Sequence, residues 1–250
     1  MKENTVLKGM EEIENNLLKK ADVVFVLSKK IYAARNGKNK HCYLIPNGVD
    51  FDFFSRSASA DTALNEELKN IPRPIAGYLG NIRSWLDFEL LEFLADNLPT
   101  MSFVFVGPIE QDVRREVSYL KKRPNVYFLG MKDREVLPGI LKGFDICLIP
   151  FKFNEFNLST NPLKFWEYLA TGKPILSLNI PDFKPYEDIV ALYTTKEEAL
   201  DKMRFLLNKD DEHLRKRRMG LAKDNDITVK SRKWYEILKE RLYDNERDAE

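Results

Sequence analysis

Cysteine and histidine are nearly absent. Cys42 and Cys147 are the only thiols and His41 and His213 the only imidazoles in 250 residues. Two cysteines make no disulfide framework, which points to a reducing, cytoplasmic setting. No run is long enough to cross a bilayer: the longest strongly apolar stretch is Val23–Leu27, against the ~20 residues a spanning helix needs. The opening MKENTVLKGMEEIENN has no apolar centre and is not expected to act as a secretory signal. Charge of one sign is also missing. Lysine plus arginine is 40 and aspartate plus glutamate 39, so the overall basic excess of many nucleic-acid binders is lacking and no nucleic-acid partner is expected. What is abundant is core material: 44% of residues are apolar, enough for a packed α/β domain and too much for a disordered chain.

No repeat or low-complexity segment interrupts the pattern. Short β-branched or aromatic runs recur as DVVFVL at 22–27, CYLI at 42–45, PIAGYL at 74–79, SFVFV at 102–106, VYFL at 126–129, DICLI at 145–149 and PILSL at 174–178. They are apolar on both alternating faces, as strands buried on both sides of a parallel sheet are. Helical stripes lie between and after them: Phe88, Leu91, Leu94, Ala95 and Leu98; Val136, Leu137, Ile140 and Leu141; Ala199, Leu200, Met203, Leu206 and Leu207. Residues 62–70 read as a further short helix. Segments 211–223 and 228–244 read as closing helices, with Trp234, Ile237, Leu238 and Leu242 sharing a face. The alternation predicts an α/β fold with a Rossmann-like, doubly wound parallel sheet, in which ligands bind beyond the carboxyl ends of the strands. The turn-rich stretch PNGVDFDFFSRSASAD at 46–61 separates an opening α–β–α piece from the main run. Four segments result: 1–45, a linker at 46–71, a main domain at 72–223 and a closing helix at 224–250. The basic run LRKRR at 214–218 has acidic neighbours and reads as a solvated helix face rather than a phosphate or lipid-headgroup patch.

Four post-strand stretches could carry chemistry. Tyr78-Leu79-Gly80-Asn81-Ile82-Arg83 places a glycine, where backbone can approach a ligand, before a helix expected to start near Asp87. Arg83 there can bond a phosphate, although an ordinary turn reads the same way. Val106-Gly107-Pro108 is a common turn pair. Phe128, Leu129, Gly130 and Met131 offer backbone against which a flat heterocycle could lie, with Asp133 as the cap of the next helix. The richest stretch follows Ile149-Pro150-Phe151. A polar loop holding Asn157, Ser159, Thr160 and Asn161 leads to Pro162 at the first position of a helix, followed by Leu163, Lys164 and Glu167, with Gly172 ending it. Lysine, carboxylate and free helix amides together suit a sugar diphosphate: cation and amides for phosphates, carboxylate for hydroxyls. The alternative is a simple Lys164–Glu167 pair on an exposed helix face.

Together these stretches resemble the C-terminal half of retaining GT-B glycosyltransferases with E-x7-E-type motifs, especially bacterial enzymes that build surface polysaccharides of the teichuronic-acid kind. The resemblance runs from ADVVFVLS at 21–28 to about residue 243. It includes LIPNGVDFDFF at 44–54, similar to an interdomain hinge; GYLGNIRSWLD at 77–87, similar to a donor-phosphate loop; and NPLKFWEYLATGKPIL at 161–176, similar to a donor-binding helix. It implies a nucleoside-diphosphate sugar as substrate, with no cofactor and no bound metal. It also implies a saccharide or lipid-linked acceptor, and hence work in the cytoplasm, at the inner face of the membrane for a lipid-linked one. Residues 1–45 would be a remnant of the acceptor-side domain, whose remainder is a separate N-terminal domain or chain. Arg83, Lys164 and Glu167 would be the catalytic groups. Gly80, Asn81, Gly107, Phe128 to Met131 and Ser159 to Leu163 would bind donor. One departure stands out: eight residues before Glu167, where the motif has its first acid, this chain has Ser159. That departure motivates a second reading, a non-catalytic nucleotide-sugar-binding or assembly module. A GT-B-like epimerase lacks a supporting acidic pair or histidine.

Overall fold

The computed structural model describes residues 2–209 and 211–247. In chain order the elements are α1 (Lys2–Lys20), β1 (Val24–Val26), α2 (Lys29–Arg35), β2 (Cys42–Leu44), α3 (Phe51–Ser55), α4 (Glu66–Lys69), β3 (Ile75–Leu79), α5 (Phe88–Asn97), β4 (Ser102–Val106), α6 (Arg114–Leu120), β5 (Val126–Gly130), α7 (Leu137–Gly143), β6 (Ile146–Ile149), α8 (Glu155–Leu158), α9 (Leu163–Thr171), β7 (Ile175–Leu178), β8 (Ala191–Tyr193), α10 (Lys196–Lys209), α11 (Glu212–Asp224) and α12 (Ile227–Arg247). Strands β1 and β2 form a small parallel sheet of their own, and the other six form one parallel sheet ordered β5-β4-β3-β6-β7-β8. That is the doubly wound order. The chain reverses its winding between β3 and β6, which opens a crevice beyond their carboxyl ends.

The local chemistry explains these elements. Every residue of β3, β4, β6 and β7 is buried, which the unbroken apolar runs require of strands covered on both faces. Asp87 caps α5 by accepting from the Leu90 amide at 2.9 Å, and α5 then turns Phe88, Leu90, Leu91, Leu94 and Ala95 into the core. Gly172 ends α9 in the left-handed conformation, as expected from its place before Lys173-Pro174.

Several sequence expectations shift. Strand β8 follows the seven recognised runs; three residues carry too little alternation to register. The helix expected at 62–70 shortens to α4, with Asn65 as its cap. Pro162 sits at the N-cap of α9, one place before its first helical residue. Asp133 caps nothing with its side chain, and a single 3₁₀ turn precedes α7. Val136 and Leu207, expected to face the core, are exposed. Trp234 and Leu238 are exposed too, because α12 leaves the main core for the small sheet, where the Trp234 ring stacks on Phe25 at 5.5 Å. The side chain of Leu242, expected on that face, lies outside the described residues.

The basic run on α11 divides. Arg215 and Lys216 pair with Glu212, and Arg217 pairs with Asp188. Arg218 instead is fully buried, donating to the carbonyls of Gly172 at 3.0 Å and Ile189 at 3.3 Å. It ties α11 to the end of α9. Arg218→Ala is expected to cost about 3 kcal/mol, because it strands buried carbonyls and leaves a cavity. The drop in urea midpoint checks this, and a change below the ~0.5 kcal/mol of an ordinary surface site would contradict it.

Candidate functional site

The loops after β3, β4 and β5 continue the sheet's hydrogen bonding past the strands. The Gly80 amide donates to Val106 O at 2.8 Å and the Gly107 amide to Gly130 O at 2.8 Å. Ile82 N donates to Pro108 O, and Glu110 N returns a bond to Ile82 O. Gly80 and Gly107 adopt φ of +138° and +141°, open to glycine alone. They also interlock: a Cβ on Gly107 would stand 2.7 Å from the Gly80 carbonyl carbon, and one on Gly80 would stand 2.7 Å from Lys164 Cε.

Helix α9 is fixed against this floor. Tyr168 Oη accepts from the Leu79 amide at 2.8 Å, at the end of β3. The neighbouring Tyr78, fully buried, donates from Oη to Asn81 O at 3.0 Å and so shapes the Gly80–Arg83 turn. Lys164, one turn before Tyr168, lays its ammonium over the Tyr78 ring, 5.1 Å from the centroid. Among the described residues, neither Lys164 Nζ nor the Glu167 carboxylate has a hydrogen bond or ion pair within the chain. The simple surface pair is therefore not what forms. Both groups are half-buried. Burial pulls the Lys164 pKa down, with the Glu167 charge opposing. Burial pushes the Glu167 pKa up, with Lys164 and Arg134 opposing. A cation and a carboxylate thus stand partly desolvated at the switch point, with no hydrogen bond or salt bridge among the described residues.

They face a cleft of about 290 Å³ lined by Gly80, Asn81, Gly107, Pro108, Met131, Lys132, Lys164 and Glu167 over an apolar wall of Phe54, Leu79, Val106 and Leu137. Six residues chosen from the sequence meet there: Gly80, Asn81, Gly107, Met131, Lys164 and Glu167. Others do not line it. Arg83 is exposed, with its guanidinium 4.9 Å over the Trp85 ring. Phe128 stacks on Phe105 at 4.9 Å, and Leu129 packs against the core. Gly130 contributes its carbonyl to the Gly107 amide. Ser159 Oγ donates to Glu155 O at 2.6 Å and Thr160 Oγ1 to Asn157 O at 2.8 Å. Asn161 is buried and bonded inside the chain. Pro162 and Leu163 form the lip of α9, where the Leu163 and Lys164 amides have no partner within the helix. The start of α5, expected to face an anion, is occupied by its own Asp87 cap.

Lys132 and Arg134 are the cations the sequence reading passed over. Lys132 lines the cleft and pairs with Glu67 at 2.6 Å; Arg134 pairs with Asp50 at 2.6 Å over the Phe53 ring. Two cations within four residues of a glycine-ended strand are a local signal for an anion, and Asp133 between them balances that charge and masks it. Among the described residues no group of three His, Cys, Asp or Glu side chains stands close enough to hold a metal ion, and no helix is long and apolar enough to cross a membrane.

The electrostatics predict opposite effects on stability and binding. The folded state raises the Glu167 pKa, so its charge costs stability at neutral pH. That cost is relieved as pH falls through the raised pKa toward the ordinary carboxylate value. Glu167→Gln is expected to melt above the wild-type protein at pH 7, with the gap closing on acidification. A lower melting temperature at pH 7 would contradict this sign.

The six-stranded, doubly wound parallel sheet with its cleft at the switch point is a Rossmann-like fold, and it matches part of the GT-B glycosyltransferase fold. In sequence, the chain is similar to TuaH of Bacillus subtilis (strain 168), named as a teichuronic acid biosynthesis glycosyltransferase: 26% identical over 232 residues, covering 88% of this chain and 57% of that protein. Among solved structures, it is similar to HepE of Anabaena in complex with UDP and glucose, with a TM-score of 0.69 and 15% identity, covering 91% of this chain and 66% of that one. It is also similar to the α,α-trehalose 6-phosphate synthase of Burkholderia multivorans, with a TM-score of 0.75 and 13% identity, covering 92% and 62%. No protein-family model matches the chain. The chain therefore spans a little over half the length of its curated relative and about two thirds of these solved structures.

Proposed function

We propose that this chain is the donor-binding part of a glycosyltransferase that moves a sugar from a nucleoside-diphosphate sugar to a saccharide or lipid-linked acceptor with retention. The observation that carries the reading is the unpartnered Lys164 ammonium held over the glycine floor beside Glu167. A diphosphate entering there would meet backbone at Gly80 and Gly107, the Lys164 charge and the free amides of the α9 lip. Glu167 would accept from ribose hydroxyls. Positive charge and helix dipole would stabilise the departing diphosphate through an oxocarbenium-like transition state. Residues 72–223 would form the donor domain and 1–45 part of the acceptor-side domain, with 46–71 as hinge and 224–250 closing the structure.

UDP is the first nucleotide to test, because HepE holds UDP in its solved structure. Isothermal titration with UDP, GDP and ADP is expected to show binding of UDP, weakened about tenfold by Glu167→Ala through the lost hydroxyl contacts. Absence of binding by all three nucleotides would remove the reading. One observation favours the non-catalytic alternative: Ser159 stands at the first acidic position and bonds its hydroxyl to Glu155 O within its own helical turn. UDP binding with no release of UDP from UDP-sugars, even with an added acceptor-side domain, would select that alternative.

A further inference from the structure

Asp182, just after β7, is buried, 8% exposed, and none of its bonds is to a cation. Its carboxylate accepts from the Lys29 amide at the start of α2, at 3.1 and 3.3 Å, and from Asn161 Nδ2 at 3.2 Å. Asn161 Oδ1 accepts from Trp166 Nε1 at 2.9 Å. The polarity of this relay is fixed at both ends. An indole N–H can only donate, so the Asn161 oxygen faces Trp166 and its amide nitrogen faces Asp182. A backbone N–H can only donate, so position 182 must accept twice. Trp166 sits on α9 between Lys164 and Glu167. Two further bonds fasten the same loop, one to the opening piece and one to the linker: Ser28 Oγ donates to Ser159 O at 2.6 Å, and Asn47 Nδ2 donates to Asn161 O at 2.5 Å.

We infer that Asp182 is a positioning residue: through Asn161 and Trp166 it sets the orientation of α9, and so of Lys164 and Glu167, relative to the α2 piece. The relay touches no part of the cleft. It fixes the cleft's charged helix to a segment outside the main sheet. This inference rests on the donor-binding reading only for its effect on nucleotide affinity; its effect on α9 is independent of that reading.

The test uses the full chain and three forms: wild type, Asp182→Asn, and the exchange Asn161→Asp with Asp182→Asn. Asp182→Asn is nearly isosteric but puts a second donor against the Asn161 amide. In the exchange, the carboxylate moved to position 161 accepts from Trp166 and from the amide now at 182, whose oxygen accepts from Lys29. Hydrogen exchange without nucleotide reads the α9 amides, and titration reads UDP affinity. Asp182→Asn is expected to speed hydrogen exchange at the bonded α9 amides of residues 165–171 and to weaken UDP binding about tenfold, and the double variant is expected to restore both. Unchanged exchange at α9 in Asp182→Asn overturns the relay whatever the nucleotide does. Faster exchange with unchanged UDP affinity overturns its positioning role. Faster exchange in Asp182→Asn that the double variant leaves unrestored overturns the assigned polarity. A wild type that binds no UDP while α9 responds as expected removes the donor reading and leaves the relay standing.

Discussion

Gly107→Ala is expected to destabilise the protein by about 3–5 kcal/mol, far more than the same change at Gly130. The added methyl would meet the Gly80 carbonyl carbon at 2.7 Å, and the backbone at 107 holds φ of +141°, which costs an L-residue ~1–2 kcal/mol or more before any clash. The atoms in its way are backbone, so relief requires the β3 loop to move. That loop is bonded in turn to Val106 and Pro108. Strain and overlap together are expected to cost about 3–5 kcal/mol, much of a normal stability of ~5–15 kcal/mol. Gly130→Ala is the control. It also has positive φ, +69°, but nothing lies within 4 Å of its Cβ position, so only the backbone cost of about 1–2 kcal/mol remains. Urea midpoints and melting temperatures decide. If the two variants are equally stable, the interlock between the loops is not a structural requirement.

Lys164→Met is expected to weaken UDP binding about 30–100-fold while making the protein more stable at pH 7. Methionine keeps most of the unbranched apolar stem and removes the ammonium that lies over Tyr78. The ammonium is held without a partner in a cleft where a diphosphate would supply several charge-assisted bonds. The stability gain follows from the lowered Lys164 pKa. A folded state that disfavours the protonated amine is destabilised wherever that amine stays charged. The cost is full below the lowered pKa and fades as pH rises from it toward the ordinary lysine value. The gap in melting temperature between variant and wild type should therefore be widest near neutrality and shrink in alkali. A variant that loses stability and keeps nucleotide affinity would reverse the role given to Lys164.

The parts that were legible in the sequence share a physical reason. Strands buried on both faces must be apolar throughout, so β3, β4, β6 and β7 announced themselves within a residue of their ends. Gly80 and Gly107 were visible because a post-strand glycine is a local signal. Lys164 and Glu167 were visible because three residues on a helix make neighbours. What the chain order hides is which groups satisfy each other. Asn161 looked like a free loop amide, yet its partners are Trp166 and Asp182, the latter 21 residues away. Asp87 looked like the start of an open helix end and closes that end itself. Arg218 belonged to a run that otherwise is a solvated face. Strand β8 was too short to show a period at all.

The chain passes between its two sheets twice, and both passages are at one place. Val49 donates to Asn225 O and accepts from Ile227 N, and Phe51 N donates to the Asp226 carboxylate. From there α12 carries Trp234 back to Phe25. A body held by one thread can tumble in any direction. Two segments bonded side by side resist pulling apart and twisting where they cross, so the small sheet is tied to the main sheet by both chain passages at one point. The bonds from Lys29 to Asp182 and from Ser28 to Ser159 add ties away from that crossing, and three or more separated ties fix an orientation that one crossing alone does not.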